Sequence, residues 1–411
     1  MKRIAMFIHH ETGGAVVAFK GFMRILTKNG YRIDLYRFNK AGENFSVLSE
    51  NAVNDINYSI NLKPRVVGRL PLLREYVNLF RYWQNLGELD RASKKMAAEI
   101  DSKQYEFAFI NADKFVKHPF LLKYLKTRTY YFCNEPERRF YDPPSLFEDD
   151  LDNRNCEEGI VRKLQRIWYQ PASKGFNYLW KRASDSNIVD PSVHIIANSY
   201  FTAESIFRAY NKTSSVCYLG VELRGVPKPF RYREHFVLTV GSLQPNKGHS
   251  FLVKALSEVP ERLRPRLIVV TDVSKPLREK KLREMARSLS VEVKVKVQIP
   301  LEELHDLYSS AKLFVYGSRL EPFGLAPLEA MGFGTPVVAV QSGGVRETVK
   351  NGVTGLLSDW DKYDFSGKVS LLLENEDLWT RMSLSGHDYV RGEWTWDRTH
   401  KRFEEIVNRD I

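Results

Sequence analysis

The sequence predicts an α/β protein built from two doubly wound parallel-sheet domains facing a central cleft. Three observations carry this. Short apolar runs alternate with helix-period segments through most of the chain. The alternation stops at a basic, proline-containing, non-periodic stretch, LRGVPKPFRYRE (223–234), and then restarts. The chain has 411 residues, too many for one ordinary hydrophobic core.

Taken in order, RIAMFIH (3–9) reads as a first buried strand, Gly13-Gly14 as a turn, Ala15–Asn29 as a helix stopped by Gly30, and Tyr31–Phe38 as a second strand. Further β-rich runs are EFAFI (106–110), TYYFC (129–133), HIIA (194–197) and VCYL (216–219). After the break come FVLTV (236–240), a helix from about His249, LIVV (267–270), VEVKVKV (291–297), a helix over LEELHDLYSSA and the strand KLFVYGS (312–318). A helix through Leu328–Gly332, the strand PVVAV (336–340) and a short helix from Val345 follow. The expected domains are therefore 1–222, a linker at 223–234, and 235–392. The amphipathic helix in 393–411 is a candidate to cross back to the first domain. In such sheets ligands bind beyond the carboxyl ends of the strands.

The formal net charge of +12 favours anionic partners: nucleotide phosphates, nucleic acid or an acidic membrane surface. Cys133, Cys156 and Cys217 have no ligand-like spacing, so neither a zinc site nor a disulfide framework is indicated. The first apolar run is too short for a signal peptide, and no stretch approaches the ~20 residues that span a bilayer. The expectation is a cytoplasmic protein, peripheral on the inner face of the membrane. No D-x-D pair suits a metal, and Asp149-Asp150 read as a solvated loop.

Three segments carry candidate chemistry. In FVLTVGSLQPNKGHSFLVKAL a buried strand ends at Gly241, Ser242 follows, and Lys247-Gly248 lead into a helix. Glycine admits a ligand close to the backbone and the lysine can neutralise phosphate, although a plain βα turn with a solvated lysine reads the same way. In YGSRLEPFGLAPLEAMGFGTPVVAV, Glu321 falls in a loop, and Phe323-Gly324-Leu325 offer backbone amides at a helix start, where the dipole attracts phosphate. Pro327 suits a first turn and Glu329 lies one turn further on. Either glutamate alone could be a surface residue beside a turn. In AVQSGGVRETVKNGVTGLL, Gly343-Gly344 let a loop bend close to a ligand, or simply turn.

Together these segments resemble the retaining, nucleotide-sugar-dependent glycosyltransferases of the GT-B fold, family 4. Glu321 and Glu329 match the family's E-x7-E spacing, and EAMGFGTPVVAVQSGGVRETVKNGVTGLL follows its pattern closely. ANSYFTAESIFRAY, YLGVEL and HETGGAVVAFKGFMRILTKNGYRIDLY resemble its N-terminal domain. The resemblance implies two Rossmann-like domains and a UDP- or GDP-linked sugar as substrate, with no cofactor and no metal. It implies that Glu321 binds sugar hydroxyls, Glu329 the ribose, and Lys247 with the amides of Phe323, Gly324 and Leu325 the diphosphate. Gly13, Gly14, Gly241 and Ser242 would complete the donor site.

Two departures stand out. Ser242 occupies the place where arginine is usual, so Lys247 carries more of the phosphate charge, with Arg319 a candidate helper. Asn134, in TYYFCNEPERRFYD, stands where relatives have histidine; asparagine hydrogen-bonds but does not titrate, so it would orient the sugar. His9, His10 and His118 are nearby titratable groups of low weight. The acceptor, a glycan or a lipid-linked saccharide, is expected on the N-terminal domain. There, residues 63–96 carry eight Lys/Arg against three acids, with Leu73, Val77, Phe80 and Trp83 on one helical face. That pattern fits a helix docked on an anionic interface and equally a core-facing helix with a basic outer side. RKLQRIW (162–168) and YLWKRAS (178–184) add basic-aromatic clusters. No nucleic-acid module is visible. A non-catalytic binder of sugar nucleotides and an epimerase of the same fold are the competing expectations.

Overall fold

The computed structural model describes residues 2–9, 13–39, 51–67, 71–147, 160–188, 190–222 and 225–409. His10, Arg69, Asp149-Asp150, Cys156 and the side chains of RKLQRIW lie outside what is described. The chain divides into two compact units. One comprises residues 1–140, 154–197 and 205–215; the other comprises 141–153, 198–204 and 216–411.

The first unit holds a seven-stranded sheet in the order β3-β2-β1-β4-β5-β6-β7. Its strands are β1 (Arg3–His9), β2 (Arg32–Asn39), β3 (Asn54–Ser59), β4 (Phe107–Asp113), β5 (Thr129–Cys133), β6 (Val193–Ala197) and β7 (Ser215–Val216). The paired strands run parallel. β4 is buried at every residue and β1 at all but the first, as expected of strands covered on both faces. Crossing or flanking helices are α1 (Gly14–Lys28), the 32-residue α2 (Pro71–Ser102), the single turn α3 (Arg138–Tyr141), α4 (Ile160–Asp185) and α5 (Tyr200–Tyr210), whose residues 200–204 belong to the other unit.

The second unit holds six parallel strands in the order β10-β9-β8-β11-β12-β13. These are β8 (Glu234–Val240), β9 (Arg266–Thr271), β10 (Val293–Val297), β11 (Ala311–Tyr316), β12 (Val337–Val340) and β13 (Gly355–Ser358). Its helices are α6 (His249–Ser257), α7 (Pro276–Ser288), α8 (Leu301–Ser310), α9 (Leu325–Gly332), α10 (Val345–Thr348), α11 (Lys362–Glu374), α12 (Glu376–Glu393) and α13 (Trp396–Arg409). β10 alternates Val and Lys at the sheet edge, where charge discourages further strand pairing.

Both sheets reverse strand order at their centre, between β1 and β4 and between β8 and β11. Chain leaving the carboxyl ends of these strand pairs is where an open α/β sheet places ligands. Two strands escape the sequence pattern. β3, NDINYS, is an edge strand with little apolar content, and β13, GLLS, is only four residues long. Conversely, the run VCYL contributes only Val216 to β7, because Cys217–Val221 turns to α13 and its approach. The Cys217 thiol donates to the Thr399 carbonyl at 3.7 Å, and Val221 N–H to the Trp394 carbonyl at 2.8 Å. A Cβ on Gly220 would stand 2.4 Å from the Trp396 nitrogen, so only glycine fits there.

Candidate active site

In the second unit the site grows from the ends of β8 and β11. After β8 the chain passes Gly241 and Ser242 and makes a single 3-10 turn, Pro245–Lys247, before α6. The Ser242 carbonyl lies 3.1 Å from the buried His249 ring, whose pKa is pushed down to about 4 chiefly by burial. Gly248 has φ +67°, and a Cβ on it would fall 2.1 Å from the Gly317 carbonyl oxygen. Conformation and space both demand glycine, and the close approach locks the loop after β8 to the loop after β11.

That lock brings Lys247 to Glu321. The ammonium donates to Glu321 Oε2 at 2.7 Å, with side chains 21% and 12% exposed. The Ser318 hydroxyl donates to the same oxygen at 2.6 Å, and the Tyr316 phenol nearby also favours the ionised carboxylate. Burial would raise the Glu321 pKa; the Lys247 charge and these hydrogen bonds outweigh it and bring the carboxyl down to about 2. The resemblance implies separate tasks for the two residues; in the structure they form one ion pair.

The backbone around Glu321 is fixed with equal care. Leu320 takes a left-handed conformation, φ 47°, unusual for a branched side chain, and its N–H is held by the Ser342 hydroxyl at 2.7 Å. Gly343 bridges to Glu321, and the Gly344 N–H donates to the Glu321 carbonyl at 2.7 Å. A Cβ on Gly343 or Gly344 would lie 2.3 Å or 2.4 Å from the carbonyl oxygens of Glu321 and Pro322. The glycine pair therefore serves backbone-to-backbone packing that holds the Glu321 loop. The Pro322 carbonyl accepts from Ser199 Oγ at 2.5 Å and Thr202 Oγ1 at 3.2 Å. The Phe323 ring is buried against Tyr218 and Trp394 and acts as a plug beneath the loop.

Gly324, φ +102°, then starts α9, whose first backbone amides lack helical partners by geometry. One turn along, Glu329 accepts from the Tyr308 hydroxyl at 2.7 Å, and burial raises its pKa. Arg319 does not join the Lys247 pair: its guanidinium lies 4.8 Å over the Trp360 ring and donates to the Ser145 carbonyl at 2.8 Å. Three contributors escaped the sequence reading. Ser318 and Tyr308 give no local signal. Glu347, two residues beyond Val345, takes the Tyr200 and Phe201 N–H groups at 2.9 Å and 2.8 Å and the Tyr218 hydroxyl at 2.8 Å, capping α5.

In the first unit the candidates lie at the ends of β1, β4 and β5. Gly13, φ 90°, precedes Gly14, which opens α1. Asn134 Nδ2 donates to Asn111 Oδ1 at 2.9 Å; that oxygen also takes the Ala112 N–H at 2.6 Å, and Asn111 Nδ2 reaches the Ala15 carbonyl at 3.4 Å. Asn134 is thus tied through Asn111 to the first turn of α1. His9 Nδ1 and Asp113 Oδ2, both buried, are 2.6 Å apart. His118 is a packed core histidine. Its ring meets the Tyr131 hydroxyl at 2.7 Å, and burial, with the nearby Lys117 charge, takes its pKa down to about 3.

Two central-reversal sheets, one bearing a glycine-locked loop pair with a lysine, a carboxylate and a helix start, define a two-domain protein of the Rossmann-like, GT-B type. Solved structures agree on the fold. Sucrose-phosphate synthase from Thermosynechococcus elongatus is similar over 100% of this chain and 99% of its own, with TM-score 0.73 and 17% identity. Anabaena HepE, solved with UDP and glucose, is similar over the whole of both chains, with TM-score 0.65 and 17% identity. Residues 227–387 match the model of the glycosyl transferases group 1 family, so this part of the chain is similar to that family. Among curated relatives it is 32% identical over 176 residues to mannosylfructose-phosphate synthase of Agrobacterium fabrum, covering 41% of this chain and 39% of the relative. It is 30% identical over 252 residues to D-inositol 3-phosphate glycosyltransferase of Thermobispora bispora, covering 55% of this chain and 58% of the relative. These matches span less than two thirds of either relative's length.

Proposed function

We propose that the protein is a retaining glycosyltransferase that moves a sugar from a nucleoside-diphosphate donor to a glycan or lipid-linked acceptor, forming an α-linkage. The observation that carries this reading is the Lys247–Glu321 pair at the start of the α9 segment. Breaking the bond between the anomeric carbon and a phosphate oxygen puts negative charge on the diphosphate and positive character on the ring. Lys247 and the first α9 amides would receive the diphosphate charge, in groups already oriented before the reaction. Glu321, held ionised by its partners, can only accept hydrogen bonds, which suits sugar hydroxyls. Glu329, oriented by Tyr308, would take the ribose diol. Asn134, held by Asn111, would orient the sugar. No side chain here need act as a base if the departing phosphate takes the acceptor's proton.

Similarity to HepE, which has been solved with UDP and with UDP-glucose, favours a uridine donor. Donor binding is tested by thermal shift against UDP-, GDP- and ADP-sugars. A stabilisation that follows ligand concentration names the donor, and no shift with any of them removes the proposal. The competing reading, a binder without catalysis, draws on Ser242 and Asn134. It is separated by donor hydrolysis, which a transferase shows slowly and loses with Glu321→Ala.

A peripheral membrane location belongs to the same proposal. Leu73, Tyr76, Phe80 and Trp83 are all more than two fifths exposed on α2, and Phe80 stacks on Trp83 at 5.8 Å. Among the described residues, no helix is long and apolar enough to cross a membrane. An exposed aromatic face on α2, with Lys63 and Arg65 before the helix and Arg74 and Arg81 in its first three turns, fits the interfacial layer of an anionic membrane. Loss of liposome binding in Phe80→Ser/Trp83→Ser, with UDP binding intact, is the expected result; unchanged liposome binding sinks this part.

A further inference from the structure

The first unit contains a cavity of about 430 Å³ that none of the donor-site residues lines. It lies at the carboxyl end of the sheet's reversal point, where His9 ends β1 and Lys114 follows β4. Its floor is built deliberately. The extended segment 60–66 is strapped to α2 by two asparagines seven residues apart, which mimic a peptide partner. Asn78 takes the Val66 N–H at 2.7 Å and returns a bond to its carbonyl at 3.3 Å; Asn85 does the same for Lys63 at 2.8 Å and 3.0 Å. Between them, Arg81 donates to the Pro64 carbonyl at 2.7 Å. The strap presents Lys63 and Arg65 to the same space as Arg81 and Lys114, and no carboxylate is among the described lining residues. Phe176 and Trp180 supply an aromatic wall, with the Arg65 guanidinium 5.9 Å from the Phe176 ring centre.

We infer that this cavity is an acceptor subsite for a phosphomonoester, so that the sugar acceptor is itself phosphorylated; this rests on the transferase reading above. Four cationic side chains around one cavity raise its potential, and arginine forks match phosphate oxygens two at a time. Ring faces beside the charges suit the apolar face of a sugar or an isoprenoid stem. The volume falls in the range of small-molecule sites and fits a hexose phosphate. The phosphate can come from a soluble sugar phosphate or from a lipid phosphate, since α2 carries its exposed aromatic face beside the residues that line the cavity.

The test is calorimetric titration of the full chain with glucose 6-phosphate and with a short polyprenyl monophosphate in neutral detergent, each against its neutral counterpart, glucose or the polyprenol. Lys63→Gln/Lys114→Gln removes two charges without touching the strap's hydrogen bonds, and Arg65→Gln is an independent second variant. At least one phosphorylated probe should bind at least about tenfold tighter than its neutral partner, and the double variant should lose at least about tenfold. UDP affinity, measured in parallel, should not change. Tighter binding of glucose 6-phosphate or of the lipid identifies the source. Equal binding of charged and neutral probes, or full affinity in both variants, overturns the assignment. If phosphomonoesters bind and no sugar nucleotide does, the cavity assignment stands and the transferase reading falls.

Discussion

The candidate residues of the two units are held by different means. In the second unit, backbone meets backbone: Gly248 against Gly317, Gly343 against Glu321 and Gly344 against Pro322 leave no room for a Cβ, and the loops carrying Lys247 and Glu321 are fixed before any side chain is considered. In the first unit the anchors are side-chain amides: Asn111 holds Asn134 and Ala15, and Asn78 and Asn85 hold the strap. A glycine contact tolerates no replacement, whereas an amide that mimics a peptide can be relocated. One unit thus holds its candidate residues on backbone contacts that admit no replacement, and the other on side-chain amides that substitution can relocate.

The largest expected effect falls on the rigid side. Glu321→Ala should lower turnover about 10³-fold, the scale of losing a preorganised electrostatic contact in a partly buried site. It also breaks the partly buried pair with Lys247, at a cost of about 3–5 kcal/mol. Steady-state release of nucleotide and urea unfolding measure the two parts separately. An activity within tenfold of wild type would show that the pair is structural.

Gly248→Ala and Asn111→Ala put the comparison itself to the test. The first forces a Cβ to 2.1 Å from a carbonyl oxygen at φ +67°, so a cost of at least about 3 kcal/mol is expected. The second removes the hydrogen bonds of a fully buried side chain at the carboxyl end of the sheet, at about 1–3 kcal/mol. Denaturant midpoints decide, and the contrast between the units collapses if the asparagine is the costlier loss.

This difference also explains what was legible in the sequence. Lys247, Glu321, Glu329 and the Gly343-Gly344 pair could be picked out because the backbone contacts at Gly248, Gly343 and Gly344 demand glycine at set spacing beside the charged residues. The partners that tune them did not. Tyr308 reaches Glu329 from a helix 21 residues earlier, and Glu347 reaches α5 across 147 positions; neither contact has a local signature. The basic stretch around Arg233 read as a linker, yet Arg233 is buried. Its guanidinium donates at 2.5–3.3 Å to the Tyr308, Ala311, Phe333 and Gly334 carbonyls and the Thr335 hydroxyl. Composition cannot distinguish such an anchor from a solvated arginine. The fold followed from alternation, but the first unit's cavity rests on asparagine side chains that pattern reading passes over.

Tyr308→Phe sharpens the donor half. It deletes one hydrogen bond to Glu329 and leaves the ring in place, so nucleotide affinity should fall about tenfold or less, the scale of a single bond to a carboxylate. Titration with UDP is the measurement. An effect confined to kcat, with affinity unchanged, would mean that Glu329 does not hold the ribose.

The smallest effect at neutral pH is also the most diagnostic of the first unit. His118 is buried with its ring against Tyr131, and its folded pKa near 3 lies below the ordinary value of 6.5. The unfolded chain therefore takes up the proton first, so the stability tied to the neutral ring is present above about pH 6.5 and is lost as pH falls towards 3. At pH 5 that loss is about 2 kcal/mol by linkage. His118→Phe removes the titration at the cost of one hydrogen bond, about 1 kcal/mol; Tyr131 keeps a second acceptor in the Lys117 carbonyl at 3.4 Å. The variant should be slightly less stable than wild type at pH 7.5 and equal to it or more stable at pH 5. Paired urea titrations at the two pH values check the crossing. Parallel curves would mean that the imidazole is protonated in the folded chain, with its charge met by a group on the sheet's inner face.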